Sequence, residues 1–515
     1  MKKIIAVSMC IIMIISMMPF TFAVAAEENG LQSEVYVSAN DSIVNAMESV
    51  KDGGTIHIDG TIVVPADFNF YKNVTIVGDN KATDVLDLSA MPAAFNLGAN
   101  LTLDYVTLKS TSAQKICANG YVLEIGENCA TSGQIGIYGG AYQQSVIGNT
   151  SVTVLSGNYT EVYGGGYLGA IFGNTNVIVG GTADVHNYDN KDQSKVFLYH
   201  IYGGCYGSEV NGNTYVWVGG NANPGCTWTE HESNLYYVFG GGYNCQINGS
   251  TTVVLADKAE ANYIYGGMCG SNTTITNGSN VYITGGYAMS VNGGSLGCDQ
   301  GAGHNKTSNI NVVMTGGTIQ QMFGASKDAD FTGTVNIKLL DGEVSRRVFG
   351  GCYNEVDLSG NWTTTQCVYG EIELVIGSGV DVTFTYTGGY IAKGNDHALS
   401  AHSRTNSIPL NDEGKPVEKA TILYVDEPAM NKHSKNVKSG PNAGTAAYDS
   451  VQVLSVGDAN LDGEITNADV LVIMKNIYDA EANPVLVFAL ADVNDDGEIT
   501  NVDLLKVYKQ IYAAQ

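Results

Sequence analysis

Charge is scarce in this 515-residue chain, and positive charge scarcest. Only 15% of residues are charged, and 25 Lys and Arg face 51 Asp and Glu, a formal net charge of −26. That deficit excludes nucleic acid, whose phosphates need a basic face, and it excludes an anionic membrane surface. Arginine occurs only at Arg346, Arg347 and Arg404. No CxxC pair is present, so a zinc site has no support. Beyond the first 26 residues nothing approaches the roughly 18 apolar residues that a membrane span needs. Glycine (63) and tyrosine (30, against 13 Phe and 3 Trp) are plentiful instead. Such a composition suits many short strands joined by tight turns rather than a helical enzyme. With 44% apolar residues the chain can bury a core, and its length suffices for two or three domains.

Residues 1–26 read as a signal peptide: Lys2 and Lys3, an apolar run from Ile4 to Phe20, then small residues through Ala26. Cys10 lies inside that run, which disfavours a lipoprotein anchor. A secreted protein is expected, extracellular or held at the cell surface through a partner. Nine cysteines follow, Cys117, Cys129, Cys205, Cys226, Cys245, Cys269, Cys298, Cys352 and Cys367. Their odd number and irregular spacing leave two arrangements open: free thiols in a β-core, or one or two bridges.

The middle of the chain repeats itself. Ile137-Tyr138-Gly139-Gly140, Val162-Tyr163-Gly164-Gly165, Ile201-Tyr202-Gly203-Gly204, Val238-Phe239-Gly240-Gly241, Ile264-Tyr265-Gly266-Gly267 and Val348-Phe349-Gly350-Gly351 share one motif, with Met322-Phe323-Gly324 a degenerate copy. Gly148-Asn149-Thr150, Gly173-Asn174-Thr175 and Gly212-Asn213-Thr214 interleave with it, each before an alternating strand. A period near 25 residues, with insertions at about 183–197 and 221–235, predicts a β-solenoid. One coil cannot bury its inner face alone, so coils must stack. Val and Ile are expected inside, Thr and Asn outside, with the glycine pairs supplying positive φ at the corners. Asn at equivalent corners is expected to form a hydrogen-bonded ladder.

Residues 42–78 read as a short helix, a strand opening at Gly53-Gly54-Thr55-Ile56, and a second strand within Lys72-Asn73-Val74-Thr75-Ile76-Val77-Gly78. That order resembles the entry of right-handed parallel β-helix proteins of the pectate-lyase-like superfamily, where a helix caps the first coil. The later repeats resemble glycine-rich β-helix repeats of secreted bacterial surface proteins. The fold implied is mostly β, but this superfold hosts lyases, hydrolases, adhesins and scaffolds alike. A lyase needs a strong base, usually Arg beside calcium-binding acids, for which only Arg346 and Arg347 offer themselves. One of that pair is expected to face solvent. A glycoside hydrolase needs clustered carboxylates, for which Asp299 with His304, and Asp328 with Asp330, are the nearest candidates. None matches the polygalacturonase signatures, and all read first as solvated loop residues. Tyr142, Tyr167, Tyr206, Tyr243 and Tyr353 recur just after the glycine pair, as rings for sugar stacking or for packing on one another.

The tail differs in kind. Asp458, Asn460, Asp462, Glu464, Thr466 and Asp469 recur 34 residues later as Asp492, Asn494, Asp496, Glu498, Thr500 and Asp503 (492 − 458 = 34). Each set supplies oxygens at positions 1, 3, 5, 9 and 12 of a calcium loop, the position-7 carbonyl of Glu464 or Glu498, and a glycine at position 6. Apolar-periodic helices follow, over Val470–Tyr478 and Leu504–Ile511. Asp at position 12 and the lack of a full entering helix depart from an EF-hand. In both respects the tail resembles the type I dockerin. The resemblance implies two Ca²⁺ and a partner, the cohesin module of a scaffoldin in a cellulosome-type assembly. It places partner recognition at Asn467, Ala468 and Lys475, and at Asn501, Val502 and Lys509.

The expected layout is a signal peptide at 1–26, a parallel β-helix at 31–400, a cap and linker at 401–455, and an all-α dockerin at 456–515. Three roles remain open for the β-helix: a polysaccharide lyase or hydrolase, a binder of plant cell-wall polysaccharide, or a non-catalytic adhesin-like or structural spacer.

Overall fold

The computed structural model describes residues 30–39, 41–185, 200–223, 236–270, 274–297, 309–327, 331–355, 368–386, 390–392, 419–438 and 450–513. They form two compact units, Gly30–Ile422 with Asn431–Ser450, and Leu423–Met430 with Val451–Gln515. The insertions near 183–197 and 221–235 fall mainly outside the described residues.

The larger unit is almost wholly β, and its strands gather mainly into one 25-stranded sheet. Thr150–Val154, Thr175–Val179, Thr214–Val218, Thr251–Leu255 and Ser279–Ile283 pair in parallel, residue for residue. Each buries every second side chain, as the alternation of apolar and polar residues requires. Val152, Val177, Val216, Val253 and Val281 therefore stack as one fully buried column. At the N-terminal end a short helix, α1 (Ile43–Ser49), is capped by the Ser42 hydroxyl and buries Ile43, Ala46 and Met47.

Two expectations about the repeats need correction. Gly139, Gly164, Gly203, Gly240 and Gly266 take no positive φ. They are glycine because rungs approach too closely for a Cβ. A methyl on any of them would collide with the carbonyl oxygen of the equivalent glycine one rung on. The Thr of each Gly-Asn-Thr motif points inward rather than outward, and so does Thr251, which follows Gly249-Ser250. The Thr150, Thr175, Thr214 and Thr251 hydroxyls donate to the Gly164, Gly203, Gly240 and Gly266 carbonyls at 2.5–2.6 Å. Buried carbonyls at a corner need a donor, and a buried hydroxyl needs an acceptor. The two motifs are thus halves of one hydrogen bond.

The asparagines do form a ladder: Asn149, Asn174 and Asn213 side-chain oxygens accept from the backbone N–H of Asn174, Asn213 and Ser250 at 2.8–2.9 Å. The motif aromatics stack face to face, with centroids 4.4–4.9 Å apart from Tyr138 through Tyr163, Tyr202 and Phe239 to Tyr265. Asn292 takes the next rung before Phe323 and Phe349 resume the column. Cys117, Cys129, Cys205 and Cys245 are free and buried, which favours the thiol reading for these four, and Cys269 and Cys352 are buried as well. Cys226, Cys298 and Cys367 lie outside the described residues.

One carboxylate ties the early rungs together. Asp84 accepts from the Gly60, Asp79 and Asn80 N–H groups and the Thr83 hydroxyl at 2.8–3.0 Å. Burial pushes its carboxyl up, but these donors outweigh it and the pKa falls below the ordinary carboxylate value. A depressed folded pKa adds stability above the unfolded value, and that stability is lost as pH falls through the folded one. Asp84→Asn should therefore lower the melting temperature of the body at pH 7, and the gap to wild type should narrow as pH falls below the ordinary carboxylate value of about 3.9. A gap of the same size at pH 2.5 would refute this account.

The stretch read as cap and linker contains a strand, Lys419–Tyr424, a helix, α2 (Glu427–His433), and short strands at Val437–Lys438 and Ser450–Val453. The smaller unit carries α3 (Asn467–Tyr478), a single turn α4 (Phe488–Ala491) and α5 (Asn501–Ala513). Ala459, Val470, Ile473, Ala491 and Val507 form its core.

Candidate functional site

In the tail, two oxygen-rich loops fold alike, each leading into a helix. Leu461 and Asp495, at the fourth position, take φ of 62° and 59°, and Gly463 and Gly497, at the sixth, take 89° and 85°. The left-handed sixth position is the reason for glycine there. The Asp458 carboxylate accepts from the Asp462 and Gly463 N–H groups at 3.1 and 2.9 Å, and Asp492 accepts from Asp496 and Gly497 at 3.2 and 2.9 Å. Asp469 accepts from Asn460 and Thr466 at 3.0 and 2.7 Å, and Asp503 from Asn494 and Thr500 at 3.1 and 2.8 Å. Thr466 caps α3, with Asp469 completing a capping box. The twelfth-position acid thus serves both its loop and its helix.

The charge balance of these loops is unusual. Asp458, Asp469, Asp492 and Asp503 are all buried. Burial pushes the Asp458 carboxyl up to about 6, and the Asp469 and Asp462 carboxylates add to this against hydrogen bonds from Gly463 and Asp462. Burial also acts on Asp503, but bonds from Thr500 and Asn494 prevail and lower its pKa. No lysine or arginine is ion-paired to either loop among the described residues. Buried like charges without a counter-ion are costly, and the donors present are all hard oxygens. That chemistry fits a divalent hard cation. Among the described residues, however, no three His, Cys, Asp or Glu side chains stand close enough together to hold an ion. The carboxylate oxygens point to backbone N–H groups instead.

The helices present matching outer faces. Asn467, Ala468 and Lys475 on α3 are exposed, as are Asn501, Val502 and Lys509 on α5. Leu471 and Tyr478 lie exposed on the same side of α3, and Leu505 and Tyr512 take the equivalent places on α5. Sequence reasoning passed over these four. The 34-residue offset that relates the loops relates them too, and would have found them.

The body's candidates fare differently. Arg346 is half-buried and Arg347 buried, in the strand Phe331–Phe349, so neither is freely solvated. Asp299, His304, Asp328 and Asp330 lie outside the described residues. Tyr142, Tyr167, Tyr206 and Tyr243 do occupy successive rungs, and Cys269, Leu296, Lys327 and Tyr353 continue the column. Their rings stack on one another with centroids 4.7–5.5 Å apart. A face already covered by its neighbour cannot take a sugar, so packing is the reading that holds.

Two acidic loops of the same layout, each leading into an exposed helix, recur at a 34-residue offset. The family model of the type I dockerin domain matches residues 456–512. Those residues are a type I dockerin, attached to a mostly β body with a long parallel sheet. No curated protein matches the chain, and no solved structure does.

Proposed function

We propose that this is a secreted, cellulosome-type component whose dockerin, residues 456–515, docks to a cohesin module of a scaffoldin in a calcium-dependent manner. The observation that carries the reading is the bond-for-bond duplication of the two loops within a dockerin match. Asp458, Asn460, Asp462, Thr466 and Asp469, with the Glu464 carbonyl, would hold one Ca²⁺. Asp492, Asn494, Asp496, Thr500 and Asp503, with the Glu498 carbonyl, would hold a second. The ions supply positive charge to buried acids and fix the loops that start α3 and α5. The exposed residues Asn467, Ala468 and Lys475, or their counterparts Asn501, Val502 and Lys509, then face the partner. Because the two faces match, docking in either of two orientations follows.

The body, in this reading, is a right-handed parallel β-helix over 31–400, closed by a cap and linker at 401–455, behind a signal peptide at 1–26. It works on plant cell-wall polysaccharide. Binding is favoured over turnover by the buried Arg347 and by the character of one outward face. Ile178, Trp217, Val254 and Tyr282 follow one another on successive rungs there without a charge. The Trp217 ring lies over the backbone of Gly180 and Gly219. An uncharged, partly aromatic strip suits a sugar chain.

Full-length protein should be captured by immobilised cohesins in Ca²⁺ and released by chelator. Capture that persists in chelator would overturn the docking mechanism. Incubating the protein with pectin, xylan and cellulose separates the roles of the body. Unsaturated products absorbing in the ultraviolet would mark a lyase, new reducing ends alone a hydrolase, and retention without turnover the binding module expected.

A further inference from the structure

The two acidic loops of the tail match bond for bond, but their surroundings do not. Leu461, at the fourth position of the first loop, is fully buried, whereas Asp495 at the same position of the second is exposed. Both take the left-handed conformation, at φ of 62° and 59°. Aspartate tolerates that region. For a bulky leucine it is strained, and such strain persists only where the surroundings impose it. The sixth position differs in the same sense. A Cβ on Gly463 would meet the Gln452 amide and lie 3.3 Å from Leu423 Cδ2, whereas a Cβ on Gly497 would have nothing within 4 Å. Gln452 Nε2 donates to the Gly463 carbonyl at 3.2 Å. The 34-residue offset puts Leu486 at the place of Gln452 (452 + 34 = 486), and leucine has no amide to offer.

The bracing residues lie outside the matched dockerin, which spans 456–512. Leu423 and Gln452 nevertheless belong to the same compact unit as the tail. Leu423, Tyr424 and Leu454 are buried there, and the Leu454 N–H donates to the Tyr424 carbonyl at 2.8 Å. The effect on the loop runs through one peptide plane. The Gly463 carbonyl and the Glu464 N–H share that plane, so a bond to the carbonyl also orients the N–H. That N–H donates to the Asp462 carboxylate at 2.9 Å, and Asp462 and the Glu464 carbonyl are both ligands in the docking reading. A loop already held loses less conformational entropy when an ion binds. We propose that Gln452, Leu423 and Leu461 are positioning residues that preform the first loop, so that it binds Ca²⁺ before the second and more tightly. This rests on the calcium-dependent docking reading and gives the two loops unequal parts in it. The first loop keeps its shape, and the second is the one that orders on metal.

The test is equilibrium dialysis of the full-length protein against radiolabelled Ca²⁺, with the Asp458→Ala, Asp492→Ala double variant as baseline. Asp492→Ala alone isolates the first loop, and Asp458→Ala alone the second. The first loop should bind about tenfold more tightly, the low end of what outer-sphere partners contribute to metal affinity. In the Asp492→Ala protein, Gln452→Met should weaken binding about fivefold, as one hydrogen bond contributes. In the Asp458→Ala protein the same change should leave binding as it was. Leu461→Asn relieves the backbone strain but removes the buried side chain, and it too should weaken the first loop alone. Gln452 is exposed, so its variant is informative even where Leu461→Asn fails to fold. Equal affinities, a tighter second loop, or a first loop untouched by Gln452→Met would overturn the proposal and leave calcium-dependent docking standing. So would a Gln452→Met effect of the same size on both loops. Absence of Ca²⁺ binding at either loop would sink the docking reading with it.

Discussion

Replacing Asp458 and Asp492 together by Ala should weaken cohesin capture by roughly a hundredfold or more. Loss of an outer-sphere partner alone costs about 10–100-fold in metal affinity, and these are first-position ligands. Each carboxylate also holds two backbone N–H groups of its loop, so its loss frees the loop as well as the charge. Either single variant should fall well short of that loss, because the other loop and its helix remain able to dock. The comparison is made by surface-immobilised cohesin titration, with circular dichroism of each variant in Ca²⁺ and in chelator. A double variant that binds like wild type, or that binds equally in chelator, would show that the loops do not couple metal to docking.

Gly203→Ala should destabilise the body by about 3 kcal/mol or more, at the upper end of what overpacking costs. The new methyl would meet the Gly240 carbonyl, which cannot retreat because the Thr214 hydroxyl holds it at 2.6 Å. The Val216 side chain blocks the other way out. Gly148→Ala is the control. That residue has φ of 114° and open space around its Cβ, so backbone strain of about 1–3 kcal/mol without a steric clash is expected. Melting temperatures of the two variants should differ accordingly. If Gly148→Ala proved the worse, positive φ rather than rung spacing would govern the glycines.

The dockerin was legible almost entirely from sequence, and the reason is local. Calcium-type ligands fall within twelve residues, so spacing alone fixes which oxygens can converge, and a second copy 34 residues on makes chance unlikely. The rung period was legible for a similar reason, since aromatic positions that stack must recur once per rung. Asn292 escaped notice because it fills an aromatic rung without being aromatic.

What the residues do on a rung was not legible. Glycine pairs look the same in sequence whether they permit a turn or a close approach, and only the distance between neighbouring backbones separates the two. Thr150 and Gly164 lie 14 residues apart, and nothing in either motif shows that one hydroxyl serves the other carbonyl. The tyrosines offer the same ambiguity, resolved only when each ring is found to cover the next. The Lys432 ammonium and the Asp381 carboxylate, 2.8 Å apart, come from separate stretches of chain. Sequence by itself determined the elements whose chemistry lies within a dozen residues, along with the repeat that stacks them. Tertiary structure decided everything that depends on which rung meets which, because contact across parallel strands is set by register and not by distance along the chain.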